Sequence, residues 1–222
     1  MSMNIAIDGP AGAGKSTIAK KVAKEMGFIY VDTGAMYRAM ALYILQHGID
    51  EKNEQAVAAA CDDIDVALRY EAGEQRVLLC GEDVSKEIRR EEVGNMASVT
   101  SVYGCVRKKL VSLQQQLAAK EDVIMDGRDI GTCVLPQAPL KIYLTASVET
   151  RAKRRYKELC EKNVTCDLAE IMKDIEDRDY RDMHREISPL KQAEDAVLVD
   201  SSDMTIDEVV TTIITLVKER MA

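Results

Sequence analysis

The chain has 222 residues, 46% of them hydrophobic and 31% charged, and carries a formal net charge of −8. That length suits one compact domain with insertions, and no apolar run reaches the roughly 18 residues that a membrane span needs. The negative balance argues against broad nucleic-acid binding, which needs a basic surface to displace counterions.

The apolar start MNIAID (Met3–Asp8) predicts a first strand and is too short for a secretion signal. GPAGAGKST (Gly9–Thr17) follows and satisfies G-x-x-x-x-G-K-[ST] without a mismatch. Its glycines let successive backbone N–H groups turn inward, where side chains would crowd a phosphate. Ile18, Val22 and Met26 recur at helical spacing, so Lys15–Met26 predicts a helix whose N-terminus adds attraction for anions. Lys15 is expected on the β- and γ-phosphates, and the Ser16 hydroxyl on Mg²⁺. A second strand at Phe28–Asp32 and a helix at Ala35–Gln46 come next. Alternating runs over Asp65–Ile88, with a turn around Glu71–Glu74, suggest a small antiparallel meander. VIMDG (Val123–Gly127), KIYLTA (Lys141–Ala146) and AVLVD (Ala196–Asp200) supply three further strands. Strands alternating with helices indicate an α/β core built on a parallel sheet. Arg151–Arg185 is long, charged and helical, either a solvated pair of helices or a mobile flap. Six cysteines without a CxxC read as free thiols in a reducing cytoplasm.

A phosphate loop alone does not say where the phosphate goes. No N-K-x-D segment for guanine occurs, and no apolar run ends in the paired Asp-Glu of many ATPases. Asp126, at the end of a strand expected beside the first, is the closest match and would hold Mg²⁺ through water. The arginines point to a second, anionic substrate, because guanidinium forks suit charge spread over a moving phosphoryl group. Arg38, Arg107 and Arg128 fall near predicted element ends, with Arg151, Arg154 and Arg155 in the charged segment. Arg178, Arg181 and Arg185 are spaced by three and four, which predicts one helix face. The plainer alternative pairs them with neighbouring carboxylates on a solvated surface.

DTGAMYRAMA (Asp32–Ala41), DGRDIGT (Asp126–Thr132) and RDYRDMHREISPL (Arg178–Leu190), in this order after the loop, closely resemble bacterial cytidylate kinases. EDVSKEIRREEVGNMAS (Glu82–Ser98) resembles the insert of the same family, and the match runs from Asn4 to about Lys218. The resemblance implies a P-loop NTPase fold of the nucleoside-monophosphate kinase type. Its parts would be a five-stranded parallel sheet flanked by helices, a small antiparallel insert and a helical lid. Core would occupy residues 1–34, 98–150 and 186–222, the monophosphate-binding part 35–97 with its β insert at about 65–88, and the lid 151–185. Phosphate would pass from ATP to CMP or dCMP, with Mg²⁺. The resemblance assigns Gly9, Pro10, Ala11, Gly12, Ala13, Gly14, Lys15, Ser16 and Thr17 to ATP. It assigns Thr33, Ser98, Arg107 and Asp129 to the cytosine, and Arg38, Arg128 and Arg185 to the acceptor phosphate. Arg178 and Asp182 would lie near the sugar, and Arg151 and Arg155 would close over the donor phosphates.

Chemistry supports parts of this assignment independently. A carboxylate such as Asp129 accepts from the N4 amino group of cytosine and repels the O4 of uracil, while Arg107 can donate to N3 or O2. Leaving such a group unpaired costs roughly 1–3 kcal/mol. The plainer alternatives are a salt bridge from Asp129 to Arg128 and a helix N-cap at Ser98. Thr33 stands where many relatives have serine, which keeps the hydroxyl. Cys160 and Cys166 lie in the expected lid, and two thiols are too few for a metal site there. A monomer acting on small molecules, with no membrane or nucleic-acid partner, is expected. A kinase for another small acceptor and a non-catalytic nucleotide switch remain the rival readings.

Overall fold

Apolar strands with both faces covered, alternating with one-sided helices, build the molecule. A computed structural model describes residues 3–71 and 73–221. Met1 and Ser2 in the first expected core segment, Ala72 in the expected turn and Ala222 lie outside the described residues. β1 (Asn4–Asp8) leads through the glycine loop into α1 (Lys15–Met26), then β2 (Ile29–Asp32) and α2 (Thr33–Gln46). α3 (Glu54–Asp63) precedes a meander of β3 (Val66–Glu71), β4 (Glu74–Leu79) and β5 (Glu82–Asp83). A 3-10 turn at Glu87–Arg89, α4 (Glu91–Thr100) and α5 (Gly104–Ala118) return the chain to β6 (Val123–Gly127). A π-helical turn at Ile130–Val134 comes before β7 (Leu140–Thr145) and the pair α6 (Val148–Glu161) and α7 (Leu168–His184). β8 (Val197–Asp200) and α8 (Ile206–Met221) complete the chain.

Five strands form one parallel sheet in the order β2-β6-β1-β7-β8, and β3, β4 and β5 form a separate antiparallel sheet. Ile5, Ala6 and Ile7 of β1 are fully buried, as a central parallel strand covered on both faces requires. One face packs on α1 and α8 through Ile18, Val22, Val209 and Ile213, and the other takes Ala118 of α5. A second core joins α2, α3, α4 and α5 to the meander around Met36, Met40, Leu42 and Leu110. The meander is tied to the edge strand β2, where the Gln75 side chain accepts from the Asp32 N–H at 2.9 Å.

The five expected strands all form, with ends shifted by at most one residue, and the meander is present. α2 starts two residues before the expected Ala35, because the Asp32 carboxylate caps it by accepting the Ala35 N–H at 2.9 Å. The expected helical character of Arg151–Arg185 is present as two helices, α6 and α7. No helix among the described residues is long and apolar enough to cross a membrane.

Candidate active site

In the sheet register Asp32 lies beside Asp126, and Asp8 beside Gly127, at the C-terminal ends of neighbouring strands. Open α/β sheets gather their ligands at this edge. Here a single cleft of about 740 Å³ opens, lined by the loop from Ala11 to Thr17 and by every other residue expected at the site apart from Gly9 and Pro10. Ten cationic side chains and five carboxylates line it, in a chain whose net charge is −8. Such a basic hollow draws anions out of an otherwise acidic field.

Gly9 and Pro10 shape the loop from behind. Gly9 has φ 149°, and a Cβ there would come within 1.9 Å of the Leu144 carbonyl oxygen. Gly12 and Gly14 also take positive φ, which turns the loop into the first turn of α1. The Pro10 carbonyl accepts from the buried Lys15 ammonium at 2.7 Å. Burial, then the positive charge of Arg128, lower the Lys15 pKa to about 7. Ser16 donates to Asp126 at 2.8 Å, and the Tyr30 hydroxyl donates to the other carboxylate oxygen at 2.9 Å. Burial, then Asp32, raise the pKa of Asp126 to about 6.

Across the cleft lies a network of charged pairs. Asp129 takes the Arg107 guanidinium on one oxygen and Arg185 on the other, the latter at 3.3 Å. The Arg107 guanidinium lies over the Tyr37 ring, 5.8 Å from its centre. The expected alternative of an Asp129–Arg128 bridge is thus overturned. Arg128 turns the other way and donates to Asp182 at 2.8 Å. Burial opposes both charges, yet the pair holds Asp182 below the usual carboxylate range. The N-cap alternative for Ser98 also fails: α4 starts at Glu91, so Ser98 is inside the helix, and its buried hydroxyl has no partner among the described residues. Thr33 donates to the Asp126 carbonyl at 2.7 Å. Arg38 donates to the Ile88 carbonyl at 3.2 Å, in space that a Cβ at Gly94 would enter to within 2.9 Å of the guanidinium.

The helical pair closes the third side. Arg151 is buried and donates to the loop carbonyl of Ala11 at 2.9 Å and to Asp179 at 2.6 Å. Arg155 is exposed and pairs with Glu158 at 3.0 Å. Arg178 reaches the cleft with a buried Nε that has no partner among the described residues, and burial followed by Arg128 lowers its pKa to about 10. The shared face expected for Arg178, Arg181 and Arg185 is only partly right. Three residues fall short of a full turn by about 60°, and Arg181 points to solvent while α7 ends at His184, before Arg185. Sequence reasoning missed Tyr37, Asp32, Arg89 and the rim of Ser201, Thr205 and Ile206, all of which line the cleft. Tyr37 lay inside DTGAMYRAMA one residue before Arg38, a signal that was available. The rim residues belong to no motif.

Comparison with known proteins agrees with this geometry. A family model described as cytidylate kinase matches residues 5–219. The chain is 50% identical over 218 residues to the cytidylate kinase of Lactobacillus johnsonii, covering 98% of this chain and 95% of that one. It is 51% identical over 214 residues to the cytidylate kinase of Caldicellulosiruptor saccharolyticus, covering 96% and 95%. Among solved structures, a gluconokinase from Sinorhizobium meliloti 1021 shares the fold, with a TM-score of 0.52 at 12% identity over 99% of this chain and 94% of that one. With almost its whole length inside the family match and half its residues shared with such relatives, the chain belongs to the cytidylate kinase family.

Proposed function

We propose that the chain transfers the γ-phosphate of ATP to CMP or dCMP, giving ADP and CDP or dCDP. The observation that carries this reading is a phosphate loop facing a basic pocket whose Ser98 hydroxyl and Arg178 Nε are buried without partners among the described residues. Buried polar groups are normally satisfied, and a bound nucleotide would supply the partners that these two lack. Gly9–Thr17 cradle the donor phosphates with Lys15, and Arg151 and Arg155 approach from the lid at residues 151–185. In the part spanning 35–97 and its neighbours, Thr33, Ser98, Arg107 and Asp129 read the base. Arg38, Arg128 and Arg185 hold the acceptor phosphate, and Arg178 and Asp182 the sugar. The acceptor oxygen is already anionic near neutral pH, so positioning and charge neutralisation supply most of the catalysis without a general base. Closure of the lid keeps water from taking the phosphate instead.

The Ser16 hydroxyl and the Asp126 carboxylate, 2.8 Å apart at the loop mouth, are the oxygen donors that Mg²⁺ takes. They fit that ion, with Asp126 acting through a bound water, and it would neutralise charge on the donor phosphates. Free thiols among all six cysteines support a cytoplasmic setting. We read the protein as a monomer whose partners are these nucleotides, without nucleic acid.

The test is acceptor-dependent ADP release by Lys15→Ala and Arg185→Ala. Each loses about 100-fold or more in kcat/KM, on the scale of removing one transition-state donor, with the fold retained by circular dichroism. Near-normal turnover in either variant refutes the assignment.

A further inference from the structure

Asp8 is the last residue of β1, directly before the first loop glycine, and its carboxylate is buried at 5% exposure. It does not line the cleft and makes no salt bridge among the described residues. Both of its oxygens are nevertheless engaged. One accepts the Ile130 N–H at 2.8 Å and the other the Gly131 N–H at 2.7 Å. These are the two residues that follow Asp129, where the chain enters its π-helical turn from a non-helical backbone at φ −145° and ψ 27°. Asp129 carries the carboxylate that meets Arg107 and Arg185. A side chain at Gly131 would come within 3.4 Å of an Asp8 oxygen and 3.1 Å of the Lys141 Cδ, so the clamp closes on bare backbone.

We propose that Asp8 is a positioning residue for acceptor selectivity, fixing Asp129 against the donor loop through the Ile130 and Gly131 amides. A carboxylate offers two charged acceptors to two parallel N–H groups, a pairing stronger than neutral bonds. One strand end then sets two parts of the site, the donor loop through Gly9 and the base-reading segment through Ile130. Asp8 touches neither substrate, so its effect on selectivity passes entirely through the placement of Asp129. An amide in its place keeps one bond and turns an NH₂ group toward the remaining N–H.

The inference rests on the reading that Asp129 recognises the base, and the test separates the two. ADP release is measured for the wild type, Asp8→Asn and Gly131→Ala with CMP and with UMP at saturating ATP, and with ATP varied at saturating CMP. Amide hydrogen exchange at residues 130 and 131 is followed by NMR in the same proteins. In Asp8→Asn the preference for CMP over UMP in kcat/KM falls about tenfold, the KM for ATP stays within about threefold, and both amides lose protection. Gly131→Ala shows a smaller loss in the same direction. A folded Asp8→Asn with lower thermal stability but unchanged preference and protection overturns the proposal. If Asp8→Asn does not fold, unchanged preference and protection in Gly131→Ala overturns it equally. A wild type without preference for CMP defeats the reading of Asp129, and the two amides still report on the clamp.

Discussion

Lys15 is buried among Arg128, Asp126, Asp8 and Asp182, and burial leads in lowering its pKa to about 7 in the free protein. A polyphosphate brought against it favours the charged form, so the pKa rises on binding. Above about pH 8 the free side chain is largely neutral, and nucleotide binding there takes up a proton. Calorimetry of ATP binding at pH 8, in buffers of different ionisation enthalpy, should show that uptake, and Lys15→Met should lose it. An uptake unchanged in the variant would show that another group titrates. The loop glycines and Lys15, which donates to Pro10, were legible in the sequence because each works within a few residues of its neighbours. Asp8 was not, since the amides it holds are 122 and 123 positions away. The same distance problem lies behind the discarded alternative for Asp129: its nearest arginine in sequence is Arg128, but its partners are Arg107 and Arg185.

Two arginines of α6 that line the cleft, Arg151 and Arg155, separate stability from activity. Arg151 ties α6 to the loop and to Asp179, and both side chains are largely buried. Removing one partner of a buried pair strands the other charge, a loss of about 3–5 kcal/mol. Arg151→Ala should accordingly lower the thermal midpoint by many degrees, read by scanning calorimetry. Arg155 has an exposed pair with Glu158, whose contribution is about 0–1 kcal/mol. Arg155→Ala should leave the midpoint nearly unchanged and still lower kcat. Comparable loss of stability in both variants would show that the two arginines share one structural role. The strands were readable because buried parallel strands are short apolar runs bounded by turn residues. The helices α4 and α5 carry Ser98 and Arg107 but lack so clear a stripe, being covered by other helices and the meander. Ser98 was therefore given a cap as its alternative place, and only the helix start at Glu91 removes that reading.

At the scale of the whole molecule, an acidic chain concentrates cations in one hollow between the sheet edge, α2, α4, α5 and the helical pair. The glycine loop forms one wall and the Arg107–Asp129–Arg185 cluster the other. Two walls in one cleft are what direct transfer between two nucleotides requires, since the groups must meet without water between them. The overall α/β architecture followed from the alternation of strand and helix patterns. The facing of the two walls did not, because it depends on the sheet order β2-β6-β1-β7-β8, which local patterns leave open. The most direct test of that arrangement measures ADP formed from ATP with CMP, dCMP, UMP, AMP or shikimate as acceptor. The account predicts rapid release with CMP and dCMP, much weaker release with the other three, and little without any acceptor. Equal release with every acceptor, or ATP binding with no acceptor-dependent ADP, would contradict it.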